Sequence, residues 1–129
     1  MESLSPLVTD FAERYLTSLD DLRVLAACMD DRERWWDAPG MARQLSITTA
    51  VARRSLDQLA RSNLLDIRIT GDVRYRFRPG SGELDAQATC FAAAYRADPV
   101  RIVQLVAASS GRGARDFADA FRLRRNDDR

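Results

Sequence analysis

The sequence predicts an α+β fold, mainly helical, in which one β-hairpin lies between helical segments. Apolar residues recur at spacings of three and four along most of the chain, which is the period of an α-helix. Residues 65–78 instead alternate apolar and polar side chains, which is the period of a β-strand. With 129 residues, of which 46% are hydrophobic and 30% are charged, the chain has the length and composition of a single domain spanning 1–129.

The part of the chain before the hairpin predicts two helices and a short aromatic strand. Apolar residues at helical spacing predict a first helix over 4–17. Ser18 and Asp21 form a capping-box pattern, which predicts the start of a second helix. Trp35 and Trp36 follow a charged turn, and we expect them to form a single β-bridge and to pack under the hairpin.

Two further helices are predicted immediately before the hairpin. Asp37 is expected to cap the first, because Pro39 then stands in the first turn, where its missing N–H costs nothing. Thr48 or Thr49 is expected to cap the second, longer helix. Asn63 tolerates the left-handed conformation that commonly follows a helix, so we expect this helix to end near it.

The alternation over 65–78 predicts the register of the hairpin. Its apolar side chains share one face only if Ile69 lies opposite Val73, which requires Thr70-Gly71-Asp72 as a three-residue loop or a bulge. We call the apolar side the inner face and expect it to be buried, and we call the arginine side the outer face. The inner face holds Leu65, Ile67, Ile69, Val73, Tyr75 and Phe77, and the outer face holds Arg68, Arg74, Arg76 and Arg78, with Asp66 opposite Arg76.

A helical extension of about three helices is predicted over 81–123. Asp98-Pro99 is a cap followed by a first-turn proline, and it opens a helix that is apolar on nearly every side. Such a helix must be covered, either by the first helix and residues 114–123 or by a second copy of the chain. A homodimer through the C-terminal helices therefore remains one of two alternatives.

The composition argues against catalysis and metal binding. The chain has no histidine, which removes Ser–His and Cys–His nucleophile pairs and the commonest metal ligand. No nucleotide-binding or metal-ligand motif is present, so we expect no enzyme, no cofactor and no metal. The two cysteines, Cys28 and Cys90, are expected to be buried, reduced thiols. With no apolar run long enough for a membrane helix and no signal-peptide pattern, we expect a cytoplasmic protein.

The charge is distributed unevenly along the chain. All 20 basic residues are arginine, and the overall net charge is only +1. Residues 1–40 hold four arginines and nine acidic residues, a net charge of −5, whereas residues 41–79 hold eight arginines and three aspartates, a net charge of +5. A basic central segment in a nearly neutral chain is typical of a module that faces nucleic acid.

A family resemblance lies within this basic segment. The run VARRSLDQL over 51–59, closing on NLL over 63–65, resembles the recognition helix of bacterial transcriptional regulators of the MarR and GntR types. The resemblance covers about residues 18–79 and implies a winged helix-turn-helix, here with an added N-terminal helix. On that match four residues of the recognition helix face the core, namely Ala52, Ser55, Leu56 and Leu59.

The resemblance also implies a binding site for double-stranded DNA. The second helix of such a motif enters the major groove, and the hairpin, called the wing, contacts the DNA backbone. The residues carried over by position are Thr48, Thr49, Val51, Arg53 and Arg54 on the helix and Arg68, Arg74 and Arg76 on the wing. Ala50 and Val51 offer little for reading bases, and Asp72 puts a negative charge at the wing tip. A winged-helix adaptor that binds a protein partner and not DNA is therefore the alternative.

Overall fold

The computed structural model describes residues 5–108, which are mainly helical with a small two-stranded antiparallel sheet, as expected of an α+β fold. The elements are α1 (Pro6–Tyr15), α2 (Leu19–Asp30), α3 (Ala38–Leu45), α4 (Thr49–Arg61), β1 (Leu65–Thr70), β2 (Asp72–Phe77), α5 (Gly82–Ala97) and α6 (99–108). The helix predicted within 114–123 lies outside the described residues. None of the described helices is long and apolar enough to cross a membrane.

The start of α2 differs in one detail from the predicted capping box. Ser18 caps the helix as expected, because its hydroxyl oxygen accepts from the backbone N–H of Asp21 at 3.2 Å. The carboxylate of Asp21 does not return to Ser18. It accepts from the backbone N–H and the hydroxyl of Thr17, at 2.8 and 2.6 Å. Asp21 is 2% exposed, so these two hydrogen bonds satisfy a buried carboxylate at the entry to the helix.

Caps at both ends of the turn between α3 and α4 fix the direction in which α4 begins. The Asp37 carboxylate accepts from the N–H of Gly40 at 2.7 Å, which confirms the predicted start of α3. Ser46 closes α3 in the left-handed region, with φ 57°, which the sequence had not indicated. Thr48 then caps α4 by accepting from the N–H of Val51 at 3.1 Å. A turn of only three residues therefore separates the two helices.

The predicted hairpin register is confirmed. Ile69 pairs with Val73 and Asp66 pairs with Arg76, so the six apolar residues share one face and the arginines share the other. Gly71 stands at the tip with φ 89°, a conformation that glycine adopts without steric cost.

The base of the hairpin is held to the rest of the chain by backbone hydrogen bonds. Trp36 forms the predicted bridge with Tyr75 through two hydrogen bonds, of 2.7 and 2.8 Å. This bridge makes β2 the middle of three extended segments and leaves β1 at the edge. The N–H of Arg78 also donates to the carbonyl of Leu64 at 3.1 Å. Asn63 is left-handed as predicted, with φ 70°, where the chain leaves α4.

The expectation that the whole inner face is buried is wrong for the half nearest the tip. Leu65, Tyr75 and Phe77 are at most 5% exposed and belong to the core. Ile67, Ile69 and Val73 are instead 44%, 75% and 41% exposed. The described helices cover only the base of the hairpin, and the strands extend beyond them. We call this exposed trio the apolar tip.

The core joins the extension to the first helix. Phe91 on α5 stacks on Phe11 of α1, with ring centroids 4.8 Å apart. On α6, Ile102 and Val106 are fully buried, whereas Val100 is 66% exposed. The expected burial of both thiols is half right: Cys28 is buried on α2, but Cys90 on α5 is exposed.

Candidate nucleic-acid interface

The first half of α4 presents a polar surface to solvent. Thr48, Thr49, Arg53 and Arg54 are exposed, and Val51 between them is half-buried. The four residues that the resemblance places towards the core are all at most 2% exposed, namely Ala52, Ser55, Leu56 and Leu59. Helical periodicity therefore separates the two faces as predicted. The hydroxyl of Thr48 accepts the hydrogen bond that caps α4, whereas the hydroxyl of Thr49 does not take part in the cap.

The two arginines on this surface are free of acidic partners. None of the ion pairs within 5–108 involves Arg53 or Arg54, which leaves both guanidinium groups available to external anions. The nearest acidic residue along the helix, Asp57, is held by another element. Its carboxylate accepts a hydrogen bond of 2.5 Å from the hydroxyl of Tyr75 on β2.

The contact between Asp57 and Tyr75 ties α4 to the inner face of the hairpin. The pKa of Tyr75 is raised to about 12, mainly by burial and also by the hydrogen bond to Asp57 and its negative charge, while the Arg53 guanidinium opposes the shift. The phenol therefore stays protonated at neutral pH and remains a donor. Arg53 precedes Asp57 by one helical turn, so it lies on the side of α4 next to the inner face.

We expect this contact to contribute about 1.5–3 kcal/mol, the usual range for a hydrogen bond to a charged group. Tyr75→Phe, Asp57→Ala and the double variant form a double-mutant cycle, measured as free energies of unfolding in urea. The sum of the stability losses in the two single variants should exceed the loss in the double variant by about 1.5–3 kcal/mol. Strict additivity of the two losses would show that the hydroxyl and the carboxylate do not stabilise each other.

The outer-face arginines differ in whether they form an ion pair. Arg74 forms an ion pair of 2.9 Å with Asp72, and both side chains remain more than 40% exposed. The acidic residue at the tip therefore neutralises one of the three arginines predicted to contact the backbone. Arg68 and Arg76 form no ion pair with any described residue, although the register sets Asp66 opposite Arg76.

Trp35 lies on the outer face with these two arginines, and not under the hairpin as expected. The guanidinium carbons of Arg68 and Arg76 each lie 4.5 Å from the centroid of the Trp35 ring. Cation–π contacts at partly exposed sites contribute about 0.5–1 kcal/mol each. The sequence held a usable signal for this placement, since neighbouring residues of an extended segment point to opposite sides. Trp36, 3% exposed, takes the buried side.

The predicted residues thus form two groups. One group, on α4, lies beside the inner face, and the other, Arg68 and Arg76, lies on the outer face around Trp35. Apart from Val51, the side chains of both groups carry N–H or O–H donors that suit anionic oxygens. Within residues 5–108 no three potential metal-ligating side chains, whether cysteine or carboxylate, come together.

Comparisons of the chain with family models, with curated proteins and with solved structures find no match.

Proposed function

We propose that the chain is a winged helix-turn-helix transcriptional regulator that binds double-stranded DNA. In this proposal α4 enters the major groove, and the hairpin is the wing that contacts the backbone. The observation that carries it is the exposed, unpaired state of Arg53 and Arg54 beside Thr49 in the first half of α4. Arginine is the residue best suited to bidentate contacts with phosphate and guanine.

Two further features support the winged-helix assignment. The element order from α2 to β2 is helix, bridge, helix, helix and hairpin, with a turn of three residues before α4. The bridge at Trp36 adds a third extended segment beside β2, as the short first strand of a wing does. Because α4 carries few base-reading groups, we expect binding to depend mainly on phosphate contacts and to weaken steeply with salt.

A homodimer in the bacterial cytoplasm is part of the proposal. Two copies would present two α4 helices to half-sites about one turn of DNA apart. The exposure of Val100 on α6, at 66%, and of Leu7 on α1, at 41%, supports an interface that includes the terminal helices.

The experiment is a titration of duplex DNA with single variants of the α4 arginines. Arg53→Ala and Arg54→Ala should each weaken binding about tenfold at low salt, since each removes a charged contact of roughly 1–3 kcal/mol. Arg14→Ala is the matched control, because Arg14 is an exposed arginine on α1. Fluorescence anisotropy of a labelled genomic duplex gives the dissociation constants. Equal binding by all three variants, or no binding by the wild type at micromolar concentration, would overturn the proposal.

A specific observation also favours the second candidate, an adaptor that docks a protein. The apolar tip exposes three neighbouring aliphatic side chains, which DNA phosphates do not cover. On this candidate Ile69→Ser would abolish co-purification of a stoichiometric partner from the native host while Arg53→Ala would not. Recovery of DNA alone from the same purification would count against it.

A further inference from the structure

We infer that Arg68, Arg76 and Trp35 form a phosphate-binding site on the outer face of the hairpin, in which Trp35 is a positioning residue. The inference rests on the proposed function and deepens it, since it names the group on the wing that holds the phosphodiester backbone of duplex DNA. Trp35 acts through the two arginines, because its ring contacts both guanidinium groups.

Two arginine side chains meet at the Trp35 ring. Two guanidinium groups lie at the same distance from one ring centroid, so they are at most twice 4.5 Å apart. Neither forms an ion pair within the described part of the chain. Arg74, which shares this face, is instead paired with Asp72. Two positive charges thus lie beside one ring and neither is paired with a described carboxylate, which favours an anion from outside.

The contact with Trp35 leaves the N–H donors of both guanidinium groups free to bind a ligand. A contact with an aromatic ring consumes no N–H donor of a guanidinium group. The guanidinium groups of Arg68 and Arg76 donate no hydrogen bond to any residue among those described. Both therefore keep their full set of donors, whose planar fork matches the oxygens of a phosphate.

The contact with Trp35 also lowers the side-chain entropy that Arg68 and Arg76 lose when they bind an anion. A free arginine side chain loses much rotational freedom when it grips an anion. Arg68 and Arg76 have lost part of that freedom already, because the half-buried Trp35 ring restrains both. Loss of the aromatic face should therefore weaken binding even when both charges remain.

The test compares four variants in duplex binding over a series of salt concentrations. Arg68→Ala and Arg76→Ala should each weaken binding about five- to tenfold and reduce the slope of log K against log salt by about 1. Trp35→Leu keeps both charges, and it should weaken binding about two- to fivefold. Trp35→Phe keeps an aromatic face and should bind as the wild type does. Thermal unfolding of each variant verifies that it is folded.

A spectroscopic readout separates positioning from a merely structural role. The chain has two tryptophans, so Trp35→Phe leaves the buried Trp36 as its single indole. Addition of duplex DNA should change the tryptophan emission of the wild type and leave that of Trp35→Phe unchanged. An equal change in both proteins would overturn the inference.

The remaining outcomes are also decisive. If Arg53→Ala weakens binding but Trp35→Leu does not, the inference fails while the proposed function stands. Polyglutamate should not compete with DNA at equal charge concentration. Its competition, lost in Trp35→Leu, would assign the site to acidic proteins and overturn the choice of DNA. No binding of duplex DNA by the wild type would overturn both proposals together.

Discussion

Replacing Phe91 with alanine is expected to destabilise the protein by about 3–5 kcal/mol, the usual cost of removing a buried phenylalanine side chain. Phe91 is 1% exposed and stacks on Phe11, so its ring lies in the contact between α5 and α1. The loss combines the transfer of the ring from the core with the cavity that it leaves. Urea unfolding followed by far-UV circular dichroism measures it, and the midpoint should fall while the slope changes little.

Val100→Ala is the matched control for this variant. Val100 lies on the next helix, α6, and is 66% exposed, so its truncation should change the free energy of unfolding by less than about 0.5 kcal/mol in the monomer. A larger, concentration-dependent loss in Val100→Ala would show that a second copy covers this residue. A loss of less than about 1 kcal/mol in Phe91→Ala would contradict the packing described for α5.

The second large effect is a loss of stability in alkali that depends on Cys28. Burial raises the pKa of the Cys28 thiol from 9.0 to about 12. Because the unfolded chain deprotonates first, this contribution is fully present below pH 9 and is lost as the pH rises towards 12. The loss is about 1.4 kcal/mol per pH unit, or about 4 kcal/mol over the window. Urea unfolding at pH 7, 9, 10 and 11 under reducing conditions measures it.

The second cysteine supplies an internal control for this pH dependence. Cys28→Ala should cost about 1 kcal/mol at pH 7 and should remove most of the loss between pH 9 and 10. Above pH 10 a smaller loss should persist, because burial also raises the pKa of Tyr75 from 10.0 to about 12. Cys90 is exposed, so Cys90→Ala should keep the wild-type pH dependence. An unchanged alkaline loss in Cys28→Ala would contradict the prediction.

The backbone of the hairpin and of α3 and α4 was predictable because local chemistry specifies it. A period of two fixes which residues share a face, and that was sufficient to set Ile69 opposite Val73. Capping preferences located Asp37 and left Thr48 and Thr49 as the two candidates for the cap of α4, of which Thr48 is the cap. The tolerance of asparagine for positive φ located Asn63. Ser46 escaped prediction because serine has no strong preference for the left-handed conformation that it adopts here.

What covers each face was not predictable, because it depends on residues distant in the sequence. Alternation placed Ile69 on the inner face but could not show that the helices stop short of it. For the same reason, Trp35 was expected under the hairpin, whereas Arg68 and Arg76 hold it on the outer face. The exposure of Arg53 and Arg54 followed from helical periodicity. Their role in DNA binding stays a prediction, because exposure alone does not identify a partner.

The attachment of the hairpin at its base has a consequence for how its strands can vary in length. The bridge between Trp36 and Tyr75, together with the Arg78–Leu64 hydrogen bond, fixes the two strands where they meet the core. Gly71 at the opposite end is exposed, and among residues 5–108 no other part of the chain lies within 4 Å of the position that a Cβ would occupy there. Pairs of residues inserted around it would lengthen both strands equally and preserve which side chains face the helices. The distance that the hairpin extends from the core can thus change by insertion without any compensating change in the core.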